Sequence, residues 1–337
     1  MTPNRSPIGL DLHADALRAV QLVAPDATRP TVAGTLVMPR RNDDPMPDVD
    51  EFKRFVAALQ RRGFSGRDLV VAAPSDAVAT SVIAVPRPTR AEDLPHRVGE
   101  ELLRATHWDP AANEIAWWEI GASGRGNANV DVMAVACPHP TAEALFDLVD
   151  ASGLNLRAID IAGAAAQRWS HATTASDPCL ALVEFTWSAM RVVAMHDDLF
   201  VYERSIPECG IASLFEAAER ETSLSADLLE LALRPGPDDA SHLPFARCIA
   251  AHVDLAVREL GIALSYVVSR YPALNGRRVT VIGRGATIPG LVEGLDEQLP
   301  VAIGRPAADG PDDDLRRLAP EFAVPAGLAL YPAESFA

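Results

Sequence analysis

The chain has 337 residues, 48% of them hydrophobic and 23% charged, with a formal net charge of −16. That length and apolar content suit two ordinary domains with real cores and exclude an intrinsically disordered chain. The acidic balance excludes a general electrostatic grip on nucleic acid or on anionic lipid, and no run approaches the roughly 20 apolar residues of a membrane span.

The first ten residues are broken by proline and lack the long apolar centre of a signal peptide, so a cytosolic protein is expected. Residues 8–23 (IGLDLHADALRAVQLV) read as apolar strand, acidic residue, short polar turn and second apolar strand. That is the grammar of a β-hairpin. Residues 31–38 extend the sheet. An acidic, proline-rich stretch (40–50) leads to a helix at 51–62, with Phe52, Phe55, Val56 and Leu59 on one face and Gly63 at its C-terminal cap. Residues 69–73 and 81–85 read as strands, the second ended by Pro86. A separate unit then begins. Thr89 is expected to cap a helix through Arg104, with Glu92 at the capping-box position. A strand (114–120), a Gly/Asn turn (121–129), another strand (131–137) and a helix (141–151) follow. A strand at 156–161 returns to the main sheet, and a helix at 163–171 crosses to the second half.

Residues 182–195 (LVEFTWSAMRVVAM) repeat the opening cassette. Asp11 aligns with Glu184, His13 with Thr186, and Arg18 with Arg191. A repeat so distant points to two similar lobes rather than a solenoid, whose period would be short. Two carboxylates should then face each other across a cleft. Helices at 211–221, 225–233 and 245–271 follow, with a polar loop at 234–244 before the last. A buried strand (278–282) runs into Gly283-Arg284-Gly285-Ala286-Thr287-Ile288-Pro289-Gly290 and a helix at 291–298. An acidic loop (309–314) and a last apolar segment (323–330) end the chain. The expected division is lobe I at 1–175, with an inserted α+β subdomain at 86–155, and lobe II at 176–337, with a mainly helical subdomain at 211–270.

Several motifs carry no chemistry. Cys137, Cys179, Cys209 and Cys248 form no CxxC pair, so buried reduced thiols are expected. The histidines show no HxxxH or HExxH spacing. Ser75 lacks the flanking glycines of a nucleophile elbow. Lys53 is the single lysine and no GxxxxGK[ST] occurs, which excludes a P-loop. Trp117 and Trp118 alternate faces on one strand, one for the core and the other for contacts.

Taken together, the ordered segments resemble the PilM-like type IV pilus assembly proteins of the actin-like ATPase superfamily, relatives of FtsA. Residues 8–23 resemble that superfamily's first phosphate segment, 181–195 its second, and 281–291 (VIGRGATIPGL) its adenosine segment. Residues 69–85 and 132–160 resemble further blocks of the family. The resemblance implies an α/β, actin-like (ribonuclease H-like) two-lobed fold with a small α+β subdomain inserted in lobe I. It also implies that Asp11 and Glu184 hold Mg²⁺ through water. Glycines two residues beyond each acid would let backbone amides approach the phosphates, a close approach that only glycine meets cheaply.

This chain departs from that pattern. His13 and Thr186 stand at the glycine positions. Ala14, Asp15 and Ala16 replace a serine-rich stretch, and a carboxylate at Asp15 would repel phosphate. Met190 replaces an expected threonine, which leaves Ser188 as the remaining hydroxyl. Arg284 replaces the middle glycine between Gly283 and Gly285. The expectation is a degenerate nucleotide site built on these residues, with weak or lost ATP–Mg²⁺ binding and no hydrolysis. The alternative is a different phosphate clamp made by His13 and Arg284.

For a partner, the resemblance implies the cytosolic N-terminal peptide of a PilN-like inner-membrane protein, bound in a groove between lobe I and the inserted subdomain. Val78, Thr80, Val82, Leu94, Val98 and Leu102 are its candidate lining. The protein would then be a cytoplasmic scaffold at the inner face of the inner membrane, without inserting itself, and a homo-oligomer is among its expected states. Three other readings compete. An active sugar kinase or ATPase needs the missing glycines. An FtsA-like membrane filament needs a basic amphipathic C-terminal helix, and residues 327–337 (GLALYPAESFA) hold a proline and no base. The cytosolic part of a type II secretion platform of the GspL kind usually precedes a transmembrane segment, which this chain lacks.

Overall fold

Each half of the chain folds into a five-stranded mixed sheet, and the two sheets share one strand order. The computed structural model describes residues 4–23, 30–40, 44, 46–106, 108–120, 128–173, 181–196, 199–233, 243–306 and 314–332. Five expected features fall wholly or largely outside them: Cys179, the turn at 121–127, the polar loop at 234–242, the acidic loop at 309–313 and the last five residues.

The first half comprises β1 (Ile8–Leu12), β2 (Ala16–Val23), β3 (Thr31–Pro39), α1 (Val49–Arg61), β4 (Asp68–Ala72), β5 (Ala79–Pro86), α2 (Leu94–Thr106), β6 (Asn113–Ile120), β7 (Asn129–Pro138), α3 (His139–Asp150), β8 (Asn155–Asp160) and α4 (Ala162–Thr173). The second comprises β9 (Ala181–Phe185), β10 (Met190–His196), β11 (Leu199–Ile206), α5 (Ile211–Thr222), α6 (Ala226–Ala232), α7 (Ala246–Arg270), β12 (Val279–Gly283), α8 (Leu291–Gln298), β13 (Ile303–Gly304) and α9 (Ala323–Ala329). The lobe I sheet runs β3-β2-β1-β4-β8 and the lobe II sheet β11-β10-β9-β12-β13. In both, a three-stranded antiparallel meander is followed by two parallel strands. The duplication is therefore one of topology as well as of sequence, and it is the two-lobed actin-like plan.

Local chemistry explains the elements. Asp48 caps α1 by accepting the Glu51 amide at 2.7 Å, and Gly63 follows the helix with φ +82°. Phe52, Phe55, Val56 and Leu59 enter a core shared with Leu10, Leu17 and Leu69 of the sheet and with Leu145, Leu148 and Val149 of α3. The opposite face of the lobe I sheet contributes Val20, Leu22, Val70 and Ala72 to a second core that continues into lobe II. Helix α9, a stripe of small residues (Ala323, Ala326, Gly327, Ala329), is buried against α4, β1 and β2, so the C-terminal helix of lobe II clasps lobe I.

Two expectations are corrected and one strand is added. The inserted unit is not 86–155. Strand β5 pairs along its whole length with β7 to make a separate sheet, β5-β7-β6, while α3 packs into the lobe I core. The insertion thus comprises β5 through β7, because hydrogen bonding and burial, rather than Pro86, set its edges. Thr89 does not cap the helix: a 3₁₀ turn (Ala91–Asp93) begins after Arg90, without a side-chain cap, and α2 follows it. Strand β11 was not anticipated. It is the lobe II counterpart of β3, and its polar residues at 203–205 hide the apolar alternation.

The insertion is fastened to lobe II. Helix α2 covers one face of its sheet, and β11 lies against the other. Trp117 packs beneath α2. The Trp118 indole donates to the Phe200 carbonyl at 3.0 Å, and Arg270 of α7 bonds Asp131 of β7 at 2.8 Å. Among the described cysteines, Cys137, Cys209 and Cys248 are free, and burial with nearby carboxylates pushes the Cys209 thiol up to about 11.

Candidate functional site

The two hairpins place their charges by strand register. In the antiparallel pairing Asp11 lies opposite Arg18, and Glu184 lies opposite Arg191. Both turns close alike: the His13 amide donates to the Ala16 carbonyl at 3.1 Å, and the Thr186 amide to the Ala189 carbonyl at 2.9 Å. Strands β1 and β9 bring their C-terminal ends together across the cleft. Ligand atoms of Asp11, His13 and Glu184 lie within 4.8 Å of one another, and all three residues are buried. The facing carboxylates expected from the repeat are thus brought together.

Every charge at this meeting point already has a partner. In lobe II, Arg191 bonds Glu184 at 2.6 Å and pairs with Glu203 at 3.1 Å. In lobe I, Asp11 instead takes His13 Nε2 at 2.8 Å. Arg18 turns away to Asp15 at 2.7 Å and to Glu321 of lobe II at 3.3 Å. From lobe II, Arg284 reaches Asp15 at 3.1 Å and also bonds Glu230. Its guanidinium lies 5.3 Å from the Trp187 ring centroid and 5.2 Å from that of Phe215, a cation–π arrangement. Two ion pairs therefore bridge the cleft: Arg18–Glu321 and Arg284–Asp15.

The titration behaviour follows from this network. Burial pushes the Asp11 carboxyl up, but His13, Arg191 and Arg18 outweigh it and hold Asp11 below the usual carboxylate range. Burial pushes His13 down, yet Asp11 raises it overall, so the pair favours imidazolium against carboxylate. Burial also opposes charge on Asp15, but Arg18 and Arg284 hold its carboxyl well below its ordinary value. Glu184 is the exception. Its burial outweighs Arg191, and Asp11 adds repulsion, so its pKa is raised.

The remaining expected residues fall around the same point. Thr186 Oγ1 accepts the Ala189 amide at 3.1 Å, so the hydroxyl closes its own turn. Ser188 is exposed at the turn's tip. A Cβ on Gly283 (φ +75°) would lie 2.7 Å from the Phe185 carbonyl oxygen, and one on Gly285 would lie 2.3 Å from the Phe185 side chain. Packing of β9 against β12 and the turn after it is sufficient reason for both glycines. The space enclosed by Asp11, His13, Arg18, Glu184, Thr186, Arg284 and their neighbours is about 10 Å³. That holds about one water, whereas small-molecule sites occupy about 300–1,000 Å³. Asp11, His13 and Glu184 offer a donor set for a divalent cation, but Arg18 and Arg191 already neutralise this end of the cleft. In this arrangement the paired side chains leave no more open space at this point than about 10 Å³.

Alignment of the two cassettes singles out Arg18 and Arg191. Their part in the cleft, as neutralisers of the facing acids, was not assigned from sequence. Asp15 was read only as a repellent of phosphate; it is the acceptor that ties both lobes. Glu203, Glu230 and Glu321 carry no sequence signal, because nothing local connects them to the hairpins.

The six expected groove residues divide. Val78 and Thr80 line a cavity of about 50 Å³ together with Ser75 and, from lobe II, Arg191, Glu203 and Ser205. Val82 is half-buried against the core that reaches lobe II. Leu94, Val98 and Leu102 are not groove lining. They are 8%, 0% and 2% exposed and form the core between α2 and the inserted sheet. An amphipathic helix buries its apolar face on the nearest sheet, and here that sheet is its own.

Comparison with known proteins places this geometry. The family model described as type IV pilus assembly protein PilM matches residues 9–332. Among curated protein sequences none matches at a significant level. Among solved structures, a PilM–PilN type IV pilus biogenesis complex matches with TM-score 0.75 and 19% identity, covering 96% of this chain and 98% of that one. The ethanolamine utilization protein EutJ from Carboxydothermus hydrogenoformans matches with TM-score 0.60 and 15% identity, covering 98% and 91%. Component A of the (R)-2-hydroxyglutaryl-CoA dehydratase of Acidaminococcus fermentans matches with TM-score 0.50 and 8% identity, covering 96% of each chain. At these identities the structures are similar in fold.

Proposed function

We propose, because the chain belongs to the family of type IV pilus assembly proteins PilM, that it is an actin-like scaffold which binds a segment of a PilN-like membrane partner and works without a nucleotide in its cleft. What supports the second half of this reading is the cleft itself. Arg18 and Arg284 line the space, about 10 Å³ is left, and two ion pairs already join the lobes. An actin-like cleft closed by nucleotide depends on its ligand. One closed by side chains holds its lobes together without a ligand, which suits a scaffold.

What supports the first half is the family, together with the inserted sheet. Strand β5 is an edge strand of that sheet, with no ladder partner on its outer side among the described residues. Val78 and Thr80 sit at its start, next to lobe I. An extended peptide could add to such an edge through main-chain hydrogen bonds and gain specificity from the adjacent cavity. No described helix is long and apolar enough to cross a membrane. The reading places the chain at the cytoplasmic face of the inner membrane because the partner segment it binds is cytosolic.

Two measurements test this. Calorimetric titration with Mg²⁺–ATP should give no saturable heat; micromolar affinity would overturn the closed-cleft reading. A peptide from the cytosolic N-terminus of a PilN-like protein should bind, and Val78→Glu or Thr80→Glu should abolish binding with the fold intact. A folded chain that ignores every such peptide sinks the partner assignment.

A further inference from the structure

A cavity of about 350 Å³ lies far from the cleft, at the opposite end of the lobe I sheet. Its rim carries Arg5, Arg67 and Arg157, against one carboxylate, Asp68. In a chain of net charge −16 this local excess of two positive charges runs against the whole. Acidic partners are abundant, and most arginines in the fold have one. The guanidinium groups of Arg67 and Arg157 have no hydrogen-bond or ion-pair partner among the described residues. Asp68 is engaged elsewhere, accepting from Asn155 at 3.2 Å.

The cavity is built rather than left over. Gln21, 1% exposed, uses all of its bonding capacity to tie the walls together. Its Oε1 accepts from Arg5 at 3.2 Å and from the Ser65 amide at 3.0 Å, and its Nε2 donates to the carbonyls of Ser6 at 3.1 Å and Ser65 at 2.6 Å. Arg5 is further held by the Gly63 carbonyl at 2.9 Å. Buried Val70 belongs to the lining. Tyr331 also lines the cavity, and its ring is held by Arg168, 5.3 Å from the centroid. Arg157 reaches the rim through a backbone irregularity. Leu69 pairs with Leu156 and Val70 with Ala158, so Arg157 is the extra residue of a β-bulge. Bulges re-aim single side chains and cluster at functional sites.

We infer that this cavity is a binding site for a small phosphate monoester, with Arg5, Arg67 and Arg157 receiving the dianionic phosphate and Tyr331 flanking the organic part. Guanidinium groups suit the choice, since their planar forks match phosphate oxygens and are always charged. The excess of two positive charges matches the dianion, and the volume sits at the small end of metabolite sites. The site is independent of the cleft and of the partner edge, so it stands or falls apart from the proposed function.

The test is titration of the full chain with phenyl phosphate and inorganic phosphate at fixed ionic strength. Saturable binding is expected, tighter for the monoester than for dimethyl phosphate, and stronger as pH rises through the monoester's second pKa, about 6. Arg67→Gln and Arg157→Gln, both at exposed and unpaired positions, should each weaken binding about tenfold while leaving thermal unfolding unchanged. No saturable binding, or binding that the double variant retains, would overturn the inference. So would arginine-dependent sedimentation with phosphatidylglycerol vesicles without any response to soluble phosphate, because the site would then be a lipid contact. Running Mg²⁺–ATP against the double variant separates this site from the cleft.

Discussion

The two hairpins start from one pattern and spend their charges differently. In lobe II the cross-strand pair is kept: Glu184 bonds Arg191, opposite it on β10. In lobe I, Asp11 and Arg18 occupy the same register, yet Asp11 takes His13 and Arg18 is released to Asp15 and Glu321. The cause is one residue. A histidine two positions after the acid satisfies it locally, whereas Thr186 at the matching place satisfies only its own turn. The difference turns an internal pair into a bridge between lobes. By occupying Asp11, His13 thus leaves Arg18 free to join the two lobes.

The comparison can be broken at several points. The largest effect is expected at Arg191. Arg191→Met leaves Glu184 and Glu203 buried without their cation and should cost about 3–5 kcal/mol, read from urea unfolding. Adding Glu184→Gln should recover much of that loss. A cost within about 1 kcal/mol would mean that the lobe II pair is not the fixed half of the comparison. Arg18→Met should cost less, about 2 kcal/mol, because Arg284 still serves Asp15. It should also loosen the contact between lobes, seen as faster amide exchange in β1 and in residues 320–322.

His13 gives the third contrast, and its sign is fixed by its raised pKa. The folded state holds the imidazolium proton more tightly than the unfolded chain. The stabilisation is therefore full below about 6.5 and is lost as pH rises through the folded value. His13→Asn should flatten this alkaline limb of the stability profile; an unchanged limb would show that Asp11 does not depend on His13. Carboxylates act at the other end. Asp15 has a depressed pKa, so its contribution is full above about 3.9 and is lost progressively as pH falls from there through the lower folded value. The smallest effect is expected at Arg284, whose partner Glu230 is half exposed. Arg284→Ala should cost about 1 kcal/mol and enlarge the cleft without restoring ATP binding, because Asp15 and His13 remain. Recovery of ATP binding would assign the block to Arg284 alone.

Much of this was legible before any coordinates. The repeat gave both hairpins and the facing acids, because a strand's register is set by alternation and turn length, which are local. The amphipathic face of α1 and the span of α7 came from periodicity in the same way. Legibility failed where two local readings competed. Pro86 read as a boundary, yet β5 belongs with β7. The apolar face of α2 read as a groove because a sequence shows that a face is apolar and not what covers it. β11 was lost to its polar residues.

By itself, then, the sequence determined the duplicated hairpins, the acid and arginine positions within them, and His13 and Thr186 two places after each acid, all of which are statements about neighbours along the chain. Only the tertiary structure decided that Arg18 would answer to Glu321, that Arg284 would cross to Asp15, and that Arg5, Arg67 and Arg157 would meet around one cavity. The reason is the range of the forces. Ion pairs and hydrogen bonds select partners within a few ångströms, and residues hundreds of positions apart come within that reach only once the whole core has set the distance.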